Sequence, residues 1–151
     1  MTTPAINKSA CRIRALLTDD IDTFRRLNAG RGGDETRAFA TMLAAAFYTA
    51  ANDKFGKDHT TADVIEFVAE ARAWYIGPET VSAEDAERVI RAVLGEEDLT
   101  NGMSAYALGA AQTVMLVAIV RVAGFSPAKM DALLDVAARR VRSYFERQGR
   151  R

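Results

Sequence analysis

Residues 103–124, MSAYALGAAQTVMLVAIVRVAG, have no wet face. Wound into a helix at about 100° per residue, the four polar side chains Ser104, Gln112, Thr113 and Arg121 fall in four different quadrants. A helix that is apolar all round is either the core of a soluble fold or a membrane span. A span needs about 20 mainly apolar residues, and the length is present. Gln112 near the middle and Arg121 before the end argue against lipid. The amphipathic helices on either side also need an apolar partner, and this stretch is the best one. The expectation is a central core helix over about 103–123, with no membrane.

The rest of the chain reads as a jacket for that helix. Its 151 residues suit one domain large enough to bury a core, and 49% hydrophobic with 26% charged residues is ordinary for a soluble globular protein. Ile6, Ala10, Ile13 and Leu17 recur at helical spacing, with Lys8, Arg12 and Arg14 opposite, so 1–17 predicts a basic amphipathic arm helix. Thr18 is placed to cap a second short helix carrying Ile21, Phe24 and Leu27. The glycine-rich run 29–33 lacks the Gly-Lys-Ser/Thr ending of a phosphate-binding loop and reads as a connector.

Asp34 is expected to cap a long helix to about Phe55, with Phe39, Leu43, Ala46, Phe47, Ala50 and Ala51 on its apolar face and Gly56 ending it. A helix from Thr60 or Thr61 to Ile76 follows, with Val64, Ile65, Phe67, Val68, Ala71, Trp74 and Tyr75 inward. Ser82 with Asp85 predicts a capped short helix that Gly95 closes. The corner Gly124-Phe125-Ser126-Pro127 then opens a last helix with Met130, Leu133, Leu134, Ala137, Ala138, Val141, Tyr144 and Phe145 on one side. The fold class is all-α: a single-domain helical bundle of six or seven helices over 1–151, with the helix over 127–148 as the main amphipathic partner of the central one and a disordered basic tail at 149–151.

Chemistry is harder to find. One histidine and one cysteine leave no readable nucleophile–base pair, so no catalytic residue and no cofactor are assigned. Cys11 has no internal disulfide partner, which fits a reducing compartment, and the first residues show no secretory signal, so a cytoplasmic location is expected. The one group resembling a metal site is Asp63, Glu66 and Glu70 on a single helix, a weak candidate that would make the chain a carboxylate-metal hydrolase. A solvated acidic face is the commoner outcome of such spacing. Gln112, Thr113 and Arg121 are the pocket candidates, because Gln112 needs a partner for its amide inside an apolar helix.

Charge is uneven although it sums to zero. Residues 1–33 carry six Lys/Arg against three acids, 34–101 six against fourteen, and 102–151 eight against three. Basic ends around an acidic middle favour pairing within the fold, with a second copy or with an acidic protein partner. The run Val122-Ala123-Gly124-Phe125-Ser126-Pro127-Ala128-Lys129-Met130, with Met130 and Leu133 six and nine positions after the glycine, resembles the turn and second helix of DNA-binding helix-turn-helix proteins. That resemblance implies nucleic-acid binding through 122–133, assisted by Lys129, Arg139, Arg140, Arg142, Arg147, Arg150 and Arg151. The positions that would read bases, Ser126, Pro127, Ala128, Asp131 and Ala132, offer few groups for base edges. The first expectation is therefore a non-catalytic, self-associating interaction or regulatory module, with a nucleic-acid-binding protein as the alternative.

Overall fold

The computed structural model describes residues 2–19, 26, 33–74 and 81–149, excepting the side chains of Asp34 and Trp74. Their regular structure is six α-helices and one 3-10 turn, with no strand among them: α1 (Thr3–Leu17), α2 (Gly33–Phe55), α3 (Thr61–Trp74), α4 (Ala83–Val93), the turn Glu97–Thr100, α5 (Ala105–Ala123) and α6 (Pro127–Gly149). The all-α expectation is met. The short helix expected after Thr18, the connector 29–32, the stretch 75–80 that includes Tyr75, Ile76 and the Gly77-Pro78 stop, and Arg150 and Arg151 lie outside the described residues.

The chain divides into two compact units, Met1–Ala46 with Phe125–Arg151, and Phe47–Gly124. The division falls inside α2, whose last turns belong to the second unit.

In the first unit α1 packs on α6. Thr2 caps α1 by accepting from the Ala5 amide at 3.3 Å. Thr18 closes α1, its hydroxyl donating to the Arg14 carbonyl at 2.9 Å, while the helix it is expected to open lies outside the described residues. Ile6, Ile13 and Leu17 are buried as their spacing predicts. Arg12 is not on a wet face. It is fully buried and donates to the Glu35 carboxylate on α2 at 3.0 Å, while Lys8 reaches the other oxygen of that carboxylate at 3.1 Å. Arg14 forms an ion pair with Asp131 of α6. Ser126 caps α6 through the Lys129 amide at 3.1 Å, with Pro127 in the first turn, and Met130, Leu133, Leu134, Ala137 and Val141 are buried below it. Tyr144, expected inward, is exposed; it lies edge-on to Phe145.

In the second unit α4 packs on α3, on α5 and on the 3-10 turn. Phe47, Val64, Val68, Ile90, Met115 and Leu116 are among its fully buried side chains. Phe55 at the end of α2 meets Phe67 of α3 edge-to-face at 5.4 Å. Ile65, also expected inward, is 47% exposed, because Val64 and Val68 occupy the covered side of α3. Gly124 takes the left-handed conformation (φ 63°, ψ 48°) that ends α5, as the corner chemistry predicts. Ser104, one of the four polar residues of the apolar stretch, is the α5 N-cap, accepting from the Ala107 amide at 3.0 Å.

Candidate functional site

The second unit contains a cleft of about 830 Å³, built from five short pieces of chain. Tyr48 and Asn52 come from the end of α2, Gly56, Lys57 and His59 from the connection to α3, and Val89, Ala92, Val93 and Leu94 from the end of α4. Glu97 and Thr100 come from the 3-10 turn, and Leu108 and Gln112 from the first half of α5. Two glycines shape it: Gly56 (φ 65°) lets the chain leave α2, and Gly95 (φ 124°) lets it leave α4.

Local hydrogen bonds orient the polar groups. The Asn52 amide donates to the Tyr48 carbonyl at 2.9 Å, and the Thr100 hydroxyl donates to the Glu97 carbonyl at 3.1 Å. The His59 Nδ1 lies 3.0 Å from the Gly56 carbonyl. A carbonyl only accepts, so Nδ1 carries the proton and, in the neutral ring, Nε2 is left as an acceptor. Beside the cleft the Arg91 guanidinium grips the Glu96 carboxylate with two bonds, 2.8 and 2.7 Å. That grip holds the Glu96 carboxyl below its ordinary range, with a smaller contribution from His59, and raises Arg91 in return.

Of the three pocket candidates the cleft takes one. Gln112 lines it, half-buried, and its amide makes no hydrogen bond among the described residues. Thr113 turns its hydroxyl back onto the Gly109 carbonyl at 2.7 Å, and Arg121 is exposed in the last turn of α5. No local pattern marks Tyr48, Asn52 and His59 as pocket residues, since nothing in the sequence says that the ends of α2 and α4 line one cleft.

The acidic residues of α3 have other work. Asp63 and Thr60 form a reciprocal capping box: the Thr60 amide donates to the Asp63 carboxylate at 2.9 Å, and the Asp63 amide to the Thr60 hydroxyl at 3.1 Å. Asp63, Glu66 and Glu70 all line one hollow of about 310 Å³ together with Lys54, whose ammonium sits 5.7 Å from the Phe67 ring centre. Among the described residues no group of three His, Cys, Asp or Glu side chains is arranged to hold a metal.

The basic residues of α6 are similarly dispersed. Lys129 lies over the Phe125 ring at 4.3 Å, Arg142 donates to Asn7 of α1 at 3.4 Å, and Arg147 donates to the Ser143 carbonyl at 3.4 Å. Arg139 and Arg142 border a groove of about 410 Å³ between α1 and α6 that also holds Asp135. Arg140 is exposed. Asp131, a would-be base-reading position of the helix-turn-helix resemblance, is tied to Arg14 of α1.

The outer side of α5 is the other notable surface. Its buried residues, Ala111, Met115, Leu116, Ala118, Ile119 and Val120, are six of nineteen, and a third of the helix's apolar window is buried. Complete burial, the expectation for a core helix, is not met. Among the described residues α5 is the one helix long and apolar enough to cross a membrane. Along the side away from the buried residues run Tyr106, Ala110, Thr113, Val114, Val117 and Arg121, none of them buried, with Tyr106 87% exposed. Comparison with protein-family models, with curated proteins and with solved structures found no match.

Proposed function

We propose that this chain is a non-catalytic helical interaction module, with a regulatory rather than chemical role, that self-associates through the outer side of α5. One observation carries the reading: the most apolar helix leaves a stripe incompletely covered, with Tyr106 exposed and Ala110, Val114 and Val117 half-buried. Leaving such a stripe in water forgoes roughly 25 cal/mol for each Å² of apolar surface that a partner would cover. Steps of four, four and three residues line it up along one side of the helix, as helix-on-helix packing requires. Ala110 leaves room for a second helix to approach. A second copy brings the same stripe, which is the arrangement of a two-fold interface. The exposed, unpaired thiol of Cys11 suits a reducing, cytoplasmic setting.

Light scattering across a concentration series tests this. The expected mass is twice the 16.5 kDa of one chain. A strict monomer at every concentration overturns it.

The alternative, nucleic-acid binding, draws on the exposed Arg139, Arg140 and Arg147 of α6. If these three arginines reach phosphates, the logarithm of the affinity for a DNA duplex falls with log salt at a slope of about −2.7, roughly 0.9 per contact. A duplex that gives no salt-dependent anisotropy change removes that alternative.

A further inference from the structure

We propose that the cleft beside Gln112 binds an uncharged, largely apolar small molecule bearing an amide-type donor–acceptor edge, such as an aromatic amide. This goes beyond self-association and does not rest on it: by helical geometry Leu108 and Gln112 lie on roughly the opposite side of α5 from the Tyr106–Val117 stripe.

Gln112 supplies the first argument. Its carboxamide stands half-buried in a wall that includes Leu108, Leu94 and Val89, with no hydrogen-bond partner among the described residues. Water in the open cleft can meet that amide, which is not among the buried side-chain atoms left without a partner, and a ligand that displaces the water must offer the same donor and acceptor or lose affinity. An amide or lactam edge offers both with two parallel bonds. Asn52 supplies the second. The bond to the Tyr48 carbonyl uses one of its amide protons and fixes the group, leaving its oxygen as an acceptor. In its neutral form His59 adds an Nε2 acceptor at the same cleft, Nδ1–H being given to Gly56.

Charge sets the class of ligand. The charged side chains lining the cleft are Lys57 and Glu97, one of each sign, so the lining offers no cluster of one charge to hold an anion or a cation. The volume, about 830 Å³, lies within the range of small-molecule sites, and the aliphatic walls offer flat apolar contact.

The test uses indole-3-acetamide, its charged isostere indole-3-acetate, and indole as probes, followed in the amide NMR spectrum of the full chain. The acetamide is expected to move the Gln112 side-chain signal and the backbone signals of Leu94 and Leu108, and to bind about tenfold more tightly than the acetate. Gln112→Leu is expected to weaken the acetamide about tenfold and leave indole unchanged. Ala92→Phe, which fills the cleft, is expected to abolish all three, with circular dichroism showing the helices intact. Gln112→Leu keeping full affinity for the acetamide overturns the proposal. So does binding that survives Ala92→Phe, or no shift at all with about 10 mM acetamide. None of these readouts depends on whether the chain dimerises.

Discussion

Arg12 shows at the scale of a residue how far helical arithmetic reaches. The spacing places it opposite Ile6 and Ile13, where a charged side chain belongs in water, yet it is fully buried. The cause is Glu35, which meets it from another helix and which no local pattern in α1 announces. The Arg12 bond, and then the Lys8 bond, hold the Glu35 carboxyl below its ordinary value of 4.5. Because the folded value is the lower one, the stabilisation is fully present above pH 4.5 and is lost as pH falls through the folded value. Urea midpoints at neutral and acid pH are therefore expected to drop less in Glu35→Gln than in the wild type. The pair is also asymmetric. Glu35 is a third exposed and retains Lys8, whereas Arg12 has no access to water. Glu35→Ala is expected to lower the melting temperature by several degrees, and Arg12→Met, which fills the same space without charge, by less. A larger loss in Arg12→Met contradicts that order. Gly124 was legible at this scale, since a glycine before Phe125-Ser126-Pro127 predicts a left-handed helix end. Gly124→Ala is expected to cost about 1–2 kcal/mol in chemical denaturation.

Helix ends were more legible than helix sides. Ser82 accepts from the Asp85 amide at 3.1 Å and Ser126 from the Lys129 amide, both as the sequence predicts. Ser104 was masked by the hydrophobicity that follows it, although it does the same work for α5. Ser104→Ala is expected to cost about 0.5–2 kcal/mol and to fray the first turn of α5, visible as faster amide exchange there. Covered and uncovered sides are a different matter. An apolar side chain says that water is unfavourable, not which neighbour removes it, so Ile65 and Tyr144 read as inward and stand outward. For the same reason α5 reads as core on every side, and the structure buries about a third of it. Where a side chain is covered the energy is large: Phe47→Ala in α2 is expected to cost about 3–5 kcal/mol.

For the whole molecule, the all-α class follows from periodicity alone, while the division of the chain within α2 does not, because nothing breaks the helix at Ala46 and Phe47. The cleft has the same character. Its Gln112 was legible as a polar residue with nowhere to go in an apolar helix. Its other walls come from helix ends up to 64 residues away in sequence and become neighbours only through packing. The acidic run of α3 was legible as a solvated surface, and its Asp63 is accounted for by the cap it forms with Thr60. Self-association through the partly covered side of α5 is decided by sedimentation velocity of the wild type beside Val114→Glu and Val117→Glu. A dimer is expected for the wild type and a fully helical monomer for each variant. A wild-type monomer, or a dimer that both glutamates leave intact, contradicts it.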